Sequence, residues 1–171
     1  MRYERPRPIA AADNVGAFSC GDRSLDDWLK RRAVANEATG ASRTFVTTPV
    51  GSSEVAGYYA LAAGSVRAGT MPGRVRRNMP DPIPVVVLAR LAVSADHQKA
   101  GLGISLLQDA VVRSVAAATS VGMRAMIIHA LPGAGGFYER LGFVEAPPGS
   151  LTYVATIADM MRTLHCEDDL N

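Results

Sequence analysis

A pair of closely spaced glycines, Gly101 and Gly103, lies where an apolar, strand-like segment gives way to a helix-like one. The N-terminus of a helix presents N–H groups without an intrahelical partner and carries a partial positive charge, so it readily binds phosphate groups. Glycine lacks a Cβ, which lets the backbone approach a bound pyrophosphate closely. The segment Gln98-Lys99-Ala100-Gly101-Leu102-Gly103 therefore predicts a pyrophosphate-binding loop, with a merely tight turn as the alternative.

Two other kinds of phosphate-binding loop do not fit this segment. The ending Gly-Lys-Ser or Gly-Lys-Thr that a P-loop requires is missing. A dinucleotide-binding fingerprint requires a third glycine, which is also absent. The glycine pair thus indicates phosphate binding outside these two classes.

The elements around the loop are a strand before it and a helix after it. Val85–Ala89 is a near-continuous apolar run, typical of a strand covered on both faces, and it continues through Arg90 to Val93 as the expected central strand. From Gly103 to about Ala118, apolar residues recur at helical spacing. Met126–Ile128 predicts the next buried strand, so the centre of the chain is a strand, helix, strand unit.

The N-terminal part predicts a helix followed by a hairpin. Ser24 has the character of an N-cap, with Asp27 at the third helical position, and Thr39-Gly40 should end the helix. Two segments rich in β-branched and aromatic residues, Thr44–Thr47 and Val55–Ala62, flank a turn and predict paired strands.

The other segments complete a mixed α/β pattern. The stretch from Arg67 to Pro84 holds so many glycines and prolines that we expect an arginine-bearing loop rather than a regular element. A short helix is expected over Gly133–Arg140, ended by Gly142. Thr152–Val154 predicts a last strand before a closing helix through Leu164.

Composition limits the classes of function. A chain of 171 residues fits one domain, so we expect a single domain over residues 1–171. No apolar run approaches the roughly 20 residues of a membrane span, and no signal-peptide pattern follows Met1, which predicts a cytoplasmic protein. The separated Cys20 and Cys166 and the scattered histidines predict neither a disulfide nor a metal site. Sixteen of the eighteen basic residues are arginine, which indicates either phosphate-rich partners or simply a GC-rich genome.

At the glycine pair the chain resembles the GNAT superfamily of acyl-CoA-dependent N-acetyltransferases. The superfamily's cofactor signature is Gln or Arg, two residues, Gly, one residue, then Gly or Ala, and Gln98, Gly101 and Gly103 meet it. The resemblance implies an α/β (α+β) GNAT fold: a central mixed twisted sheet of six to seven strands flanked by helices, with a V-shaped splay between the fourth and fifth strands. It also implies acetyl-CoA as cofactor, with main-chain groups of Leu91 and Val93 on the pantetheine arm and N–H groups from Lys99 to Ser105 on the pyrophosphate.

A second segment resembles the same superfamily. Phe137-Tyr138-Glu139-Arg140-Leu141-Gly142-Phe143 is similar to the stretch whose tyrosine hydroxyl reaches the cofactor sulfur, which implies Tyr138 as the catalytic residue. When an amine attacks a thioester, a thiolate leaves, and a phenol with a pKa near about 10 can protonate it as a general acid. The alternative is an aromatic ring packed on the core with its hydroxyl at the edge.

No histidine or acidic pair has the sequence context of a general base. A lysine ε-amine, with a pKa of about 10.4, is almost wholly protonated at neutral pH and needs a base, whereas an α-amine of about 7.7 to 8.0 is partly neutral. We therefore expect an α-amine or a similarly weak base as the acceptor. Glu54 and Asp96 are conceivable bases through water and equally ordinary surface acids.

From about residue 7 to 164 the chain resembles the GNAT toxins of bacterial type II toxin-antitoxin modules. The segments that carry this likeness are Phe18–Leu29, Ser42–Thr44, Val55–Leu61 and Leu88–Val93. The resemblance implies acetylation of the α-amino group of aminoacyl-tRNA, a block of translation, and neutralisation by a ribbon-helix-helix antitoxin. It further implies repression of the operon, with DNA contacted only through the antitoxin complex. Since such toxins often dimerise, a homodimer is expected.

A tRNA substrate would explain some of the arginines as phosphate-binding residues. Arg90 interrupts the central apolar strand, where a charge is unfavourable unless it faces a cleft or has a partner. Arg90 therefore either faces tRNA or pairs with a buried carboxylate such as Glu54. Weaker tRNA candidates, for which a solvated surface is the alternative, are Lys30, Arg31, Arg74, Arg76 and Arg77.

Two other functions stay open at this point. One is an acetyltransferase of the same fold that acts on protein N-termini or small amines. The other is a module that binds acetyl-CoA without catalysis and acts through an antitoxin–DNA complex. The intact loop and Tyr138 favour an enzyme over the second.

Overall fold

The computed structural model describes residues 1–168, which form seven strands and six α-helices. The strands are β1 (Arg7–Pro8), β2 (Arg43–Thr47), β3 (Gly57–Val66), β4 (Ile83–Val93), β5 (Ala125–His129), β6 (Val144–Glu145) and β7 (Thr152–Thr156). The helices are α1 (Arg23–Arg31), α2 (Ala33–Thr39), α3 (Gly73–Arg76), α4 (Leu102–Ala117), α5 (Gly135–Glu139) and α6 (Ile157–Asp168), with short 3-10 turns at Ala68–Thr70 and Ala95–His97.

The strands form one mixed sheet in the order β1-β2-β3-β4-β5-β7-β6, with β4 at its centre, which confirms the predicted central strand. β2 and β3 form the predicted antiparallel hairpin. β4 and β5 are parallel, and their registered pairs run from Val85 with Ala125 to Leu88 with Ile128. β4 continues to Val93 beyond the last of these pairs, which is the splay implied between the fourth and fifth strands. The two-residue strands β1 and β6 carry too short a pattern to be predicted.

The chain packs as two compact units. The first comprises Met1–Ala62 with Ala89–Ala110, and the second comprises Ala63–Leu88 with the chain from Val111 onward. That residues 1–171 act as one domain stays a prediction. No helix within the described residues has both the length and the apolar character that a bilayer crossing demands.

The core of the first unit gathers around Tyr58, which is fully buried on β3. The Phe18 ring meets Tyr58 edge-on at 5.5 Å between centroids, and Trp28 of α1 stacks on it at 5.9 Å. The Tyr58 hydroxyl donates a 2.8 Å hydrogen bond to the carbonyl of Leu25. These contacts hold α1 against the sheet, because a buried hydroxyl needs a partner and finds it on the helix backbone.

The first helix differs from its prediction at its start and in its middle. Asp22, not Ser24, is the N-cap: its carboxylate accepts from the N–H groups of Ser24 at 2.8 Å and Leu25 at 3.2 Å. The Ser24 hydroxyl itself donates to that carboxylate, so it is not available to cap the helix. Arg32 then leaves helical geometry and divides the segment into α1 and α2, although the apolar spacing continues across the break; Gly40 ends α2 in the left-handed conformation, as predicted.

The core of the second unit joins β4, β5 and β7 through Ile83, Ala125, Ile127 and Val154, all of them buried. Val75 of α3 packs into this cluster with 2% of its surface exposed. The prediction that residues 67–84 are a loop is therefore wrong in part. Burial of one valine supports a helical turn between the prolines, and β4 already begins at Ile83.

Candidate active site

The loop between β4 and α4 has the backbone shape expected of an anion site. The helix begins at Leu102, so the second glycine, Gly103, lies in its first turn. Lys99 and Gly101 both adopt positive φ, of 65° and 79°, on either side of Ala100. Alternation of left-handed and right-handed residues turns successive N–H groups toward one side, which produces a concave site for an anion. Glycine adopts a positive φ at little cost in free energy, which explains the residue type at Gly101.

The N–H groups of this loop are available to a ligand. Within the part of the chain that the structure describes, the main-chain N–H groups from Lys99 to Ile104 donate to no protein acceptor. The N–H of Ser105 is the first that is engaged, since it donates to the carbonyl of Gly101 at 3.1 Å. Ser105 therefore offers a ligand its exposed hydroxyl rather than its N–H. The donors fit a pyrophosphate, whose oxygens accept several hydrogen bonds at once.

Gln98 fixes the loop to the end of the central strand. Its side-chain amide donates to the carbonyl of Val93 at 2.9 Å and to the carbonyl of Cys20 at 3.0 Å. Both N–H bonds of the amide thus bind the protein itself. We infer that Gln98 shapes the cofactor loop, while its role as a direct cofactor contact stays a prediction.

Leu91 and Val93, the residues assigned to the pantetheine arm, lie on the stretch of β4 that extends past its registered pairs with β5. Both are half-buried. Just beyond them, the N–H of Ser94 donates to the carbonyl of Ala56 at 2.8 Å, which holds the strand end in place. Their contact with a pantetheine arm stays a prediction.

A pocket of about 310 Å³ opens beside the loop, and no sequence pattern predicts it. Its walls are Tyr3–Pro6, Thr47, Ala100, Leu102, Ser105 and Leu106. The Tyr3 hydroxyl and Nδ1 of His97 lie 3.0 Å apart, so the N-terminal segment is attached to the turn that precedes the loop. Arg5 is the only cationic residue among these walls, and it is exposed.

Tyr138 lies on α5 with 7% of its surface exposed. Its ring packs against Phe137, Phe143 and Tyr153, with centroids 5.1, 6.3 and 6.0 Å away. Burial raises the pKa of the Tyr138 hydroxyl to about 12, because the phenolate is poorly solvated there. Among the described residues the hydroxyl has no hydrogen-bond partner. Tyr138 is thus both a packed aromatic and a protonated phenol with its donor unused.

The helix α5, which carries Tyr138, packs closely against Tyr153 of β7 at Gly135. A Cβ built on Gly135 would come within 2.9 Å of Cζ of Tyr153, which is well inside contact distance. Tyr153 is itself buried, with 3% of its surface exposed. Only glycine allows α5 to start this close to the Tyr153 side chain.

Arg90 lacks the carboxylate partner expected for it, and its contact with tRNA stays a prediction. Its guanidinium lies 5.4 Å from the ring centroid of Trp28 and donates to the carbonyl of Ala89 at 2.7 Å. Glu54, the carboxylate proposed for an ion pair, is exposed, and Arg90 forms no ion pair within residues 1–168. The ion-pair prediction is therefore wrong: the aromatic face supplies the stabilisation that a carboxylate was expected to provide.

The remaining candidate residues, for tRNA binding and for a base, differ in exposure and ion pairing. Lys30 and Arg31 are exposed in the last turn of α1, as are Arg76 on α3 and Arg77 at its C-cap. Arg74 forms an ion pair with Asp159 of α6. The suggested bases Glu54 and Asp96 are both surface-exposed. Within the described residues there is no group of three histidine, cysteine or acidic side chains that could hold a metal ion.

Residues 52–145 match the family described as "Acetyltransferase (GNAT) domain". The chain is 50% identical to the "tRNA-acetylating toxin" of Mycobacterium tuberculosis over 158 residues, which cover 92% of this chain and 94% of that protein.

Two solved structures share the fold at low identity. One is AtaT complexed with acetyl-methionyl-tRNAfMet, 22% identical, with a TM-score of 0.87 over 95% of this chain and 99% of that one. The other is a mutant AtaT toxin bound to the C-terminus of the antitoxin AtaR and acetyl-CoA, 21% identical, with a TM-score of 0.80 over 95% and 98%. At this identity the likeness establishes the fold.

Proposed function

Because the chain belongs to the GNAT acetyltransferase family, we propose that it is an N-acetyltransferase toxin that moves the acetyl group of acetyl-CoA to the α-amino group of aminoacyl-tRNA. One observation carries the proposal: half of the residues are identical to a tRNA-acetylating toxin over nearly the full length of both chains. Acetylation removes the amine that peptide-bond formation needs, so the reaction blocks translation.

Acetyl-CoA supplies the acetyl group as a thioester, and the loop from Gln98 to Ser105 offers donors for its pyrophosphate. The free N–H groups of Lys99–Ile104 bind the phosphate oxygens, and the partial positive charge at the start of α4 adds to that binding. Gln98 holds the loop in this shape through Val93 and Cys20. Main-chain groups of Leu91 and Val93 bind the pantetheine arm.

Tyr138 acts at the leaving sulfur. With a pKa of about 12, its hydroxyl stays protonated across the neutral range and can always donate to the thiolate that departs. The conceivable bases Glu54 and Asp96 are both exposed, and an α-amine that is already partly neutral at pH 7 to 8 does not require a dedicated base.

The proposal extends to partners and location. A toxin of this kind is neutralised by a ribbon-helix-helix antitoxin and contacts DNA through that antitoxin complex, as a repressor of its own operon. It acts in the cytoplasm, where charged tRNA is found. Residues 1–171 then serve as one acetyltransferase domain, and a homodimer is the expected assembly.

The test is transfer of labelled acetyl from acetyl-CoA to a pool of charged tRNA. Uncharged tRNA and peptides with free N-termini run as parallel acceptors, and Tyr138→Phe runs as the inactive control. Label on charged tRNA alone supports the proposal. Label on peptides or small amines alone would replace the tRNA substrate, and no label on any acceptor would favour an acetyl-CoA-binding module without catalysis.

A further inference from the structure

The second unit contains a pocket of about 470 Å³ that the proposed chemistry does not use. We call it the arginine pocket; its walls are Arg74, Arg77, Arg124, Thr156, Ala158, Asp159 and Arg162. Four guanidinium groups face one carboxylate there, whereas the whole chain has a net charge of only +2. Positive charge is therefore concentrated in this concavity.

Arg124 is the fixed member of the arginine pocket. Its Nε donates to the carbonyl of Val75 at 3.1 Å, and a terminal nitrogen donates to the carbonyl of Arg74 at 2.9 Å. Its main chain is held as well, since its N–H donates to Pro84 at 2.8 Å and its carbonyl accepts from Ile157 at 2.9 Å. The half-buried Arg124 guanidinium has five N–H donors, and the two hydrogen bonds to main-chain carbonyls leave three for a ligand. Within residues 1–168 no carboxylate pairs with it.

Asp159 orients two further members and competes with a ligand for them. Its carboxylate accepts from both Arg74 and Arg162, and its own N–H donates to the Thr156 hydroxyl at 3.1 Å. Burial raises the pKa of Asp159, but the hydrogen bonds from its partners outweigh burial and hold it below its ordinary value. Asp159 is therefore charged near neutral pH and serves as an internal counter-ion.

The walls indicate the chemistry of the ligand. Apart from Ala158 they are charged or hydroxyl-bearing, with no aromatic or large apolar side chain. A docked protein segment binds chiefly through buried aromatic and arginine anchors, for which this surface has no apolar pocket. Phosphodiester groups need only charge and forked N–H donors, which arginine supplies.

We propose that the arginine pocket binds backbone phosphates of the tRNA, away from the aminoacyl end; this rests on the proposed function. Tyr153, which packs on Tyr138, and Thr156, which lines the pocket, lie three residues apart on β7. That spacing is about 10 Å along a strand. Residues an odd number apart on a strand point to opposite faces of the sheet, so the pocket lies apart from the chemistry at Tyr138, which suits a contact to the tRNA backbone rather than to the aminoacyl end. Of the sequence-based tRNA candidates, Arg74 and Arg77 belong to this site and Arg76 does not.

The experiment measures the dissociation constant of full-length protein for charged tRNA as a function of salt. The test variant is Arg77→Gln with Arg162→Gln, since both side chains are exposed and neither anchors the fold. The matched control removes the same charge from two exposed arginines outside the pocket, Arg67→Gln with Arg23→Gln. At about 0.1 M salt the test variant should bind at least about tenfold more weakly, and the slope of log Kd against log salt should fall by about 1.5. The control should lose much less.

A second variant gives a change of opposite sign. Asp159→Asn releases Arg74 and Arg162 from their counter-ion, so tRNA should bind about threefold more tightly, while the KM for acetyl-CoA is unchanged. Equal losses in the test and control variants, or no gain in Asp159→Asn, would overturn the proposal. Weaker antitoxin binding with unchanged tRNA binding would also overturn it, in favour of an acidic protein segment. Acetylation of charged tRNA by the unmodified protein is scored separately, so failure of the pocket leaves the proposed function intact.

Discussion

The side-chain amide of Gln98 donates a 2.9 Å hydrogen bond to the carbonyl of Val93, the last residue of β4. The two residues are separated by a 3-10 turn, and the bond closes that turn onto the strand end. Its second N–H reaches Cys20, which precedes α1. Both N–H bonds of the Gln98 amide thus set the shape of the loop, apart from any contact with a ligand.

Replacing Gln98 should weaken acetyl-CoA binding. Gln98→Met removes two hydrogen bonds, each of which contributes about 1 kcal/mol, so the KM for acetyl-CoA should rise about fivefold to thirtyfold while kcat changes little. Steady-state kinetics with varied acetyl-CoA measures the effect. Gln108→Met, at an exposed position of α4, is the matched control and should behave like the unmodified protein.

Gly101 should tolerate substitution in the order asparagine, then alanine. No atom lies within 4 Å of a Cβ built at Gly101, so only its φ of 79° opposes a side chain. Gly101→Ala should lower the free energy of unfolding by about 1 to 2 kcal/mol, and Gly101→Asn by less, because asparagine enters the left-handed region more easily. Denaturant unfolding gives both values; a larger loss for asparagine would contradict the assignment of strain to the backbone.

Tyr138→Phe should separate catalysis from stability. The hydroxyl has no protein partner in the described residues, so its removal should leave the melting temperature within a few degrees of the original. The kcat should fall by about 10²- to 10⁴-fold if the phenol donates to the leaving sulfur. A fall in stability without a fall in kcat would make Tyr138 a packing residue only.

The pH dependence of kcat tests the protonation state of Tyr138. Burial raises the folded-state pKa of Tyr138 to about 12, so the acid form is present throughout the neutral and mildly alkaline range and is lost only as pH rises toward that value. Deprotonation of Tyr138 should therefore not lower kcat below about pH 10. Any change of kcat near pH 7 to 8 should reflect titration of the acceptor amine. The measurement is kcat as a function of pH with acceptors whose amines differ in pKa, and the pH of that change should shift with the amine pKa.

The packing of α5 against Tyr153 should be sensitive to substitution of Gly135 and insensitive to substitution of Gly136. Gly135→Ala forces a Cβ into Tyr153 and should destabilise the protein by about 1 to 3 kcal/mol and lower kcat through displacement of Tyr138. Gly136→Ala has open space around the new Cβ and should be neutral or slightly stabilising. Thermal unfolding and kinetics of the two variants, compared side by side, test the contact.

Some of this architecture could be predicted because its signal is local. The apolar run through β4, the helical spacing of α4 and the glycines at their junction all lie between Ile83 and Ala117, so pattern and turn chemistry agree there. Gly40 and Gly142, both with positive φ, were predicted as helix ends for the same reason.

Other features depend on contacts between distant residues. The choice of Asp22 over Ser24 as N-cap depends on which acceptor meets two N–H groups in space. The partner of Arg90 is a ring on another element, and Arg74 meets Asp159 from 85 residues away. A single sequence holds no local pattern for such pairs, so the arginine pocket could not be predicted, although two of its arginines were singled out.

Binding of acetyl-CoA at the donors from Lys99 to Ile104, as proposed above, would also link the lifetime of this protein to its acyl donor. A ligand that binds only the folded chain stabilises it by about 2.7 kcal/mol at a concentration one hundredfold above its Kd. Acetyl-CoA would thus act as a folding ligand, and the fraction of unfolded chain open to proteases would follow its supply. A well-fed cell would retain more of the protein, and a drop in acetyl-CoA would speed its removal.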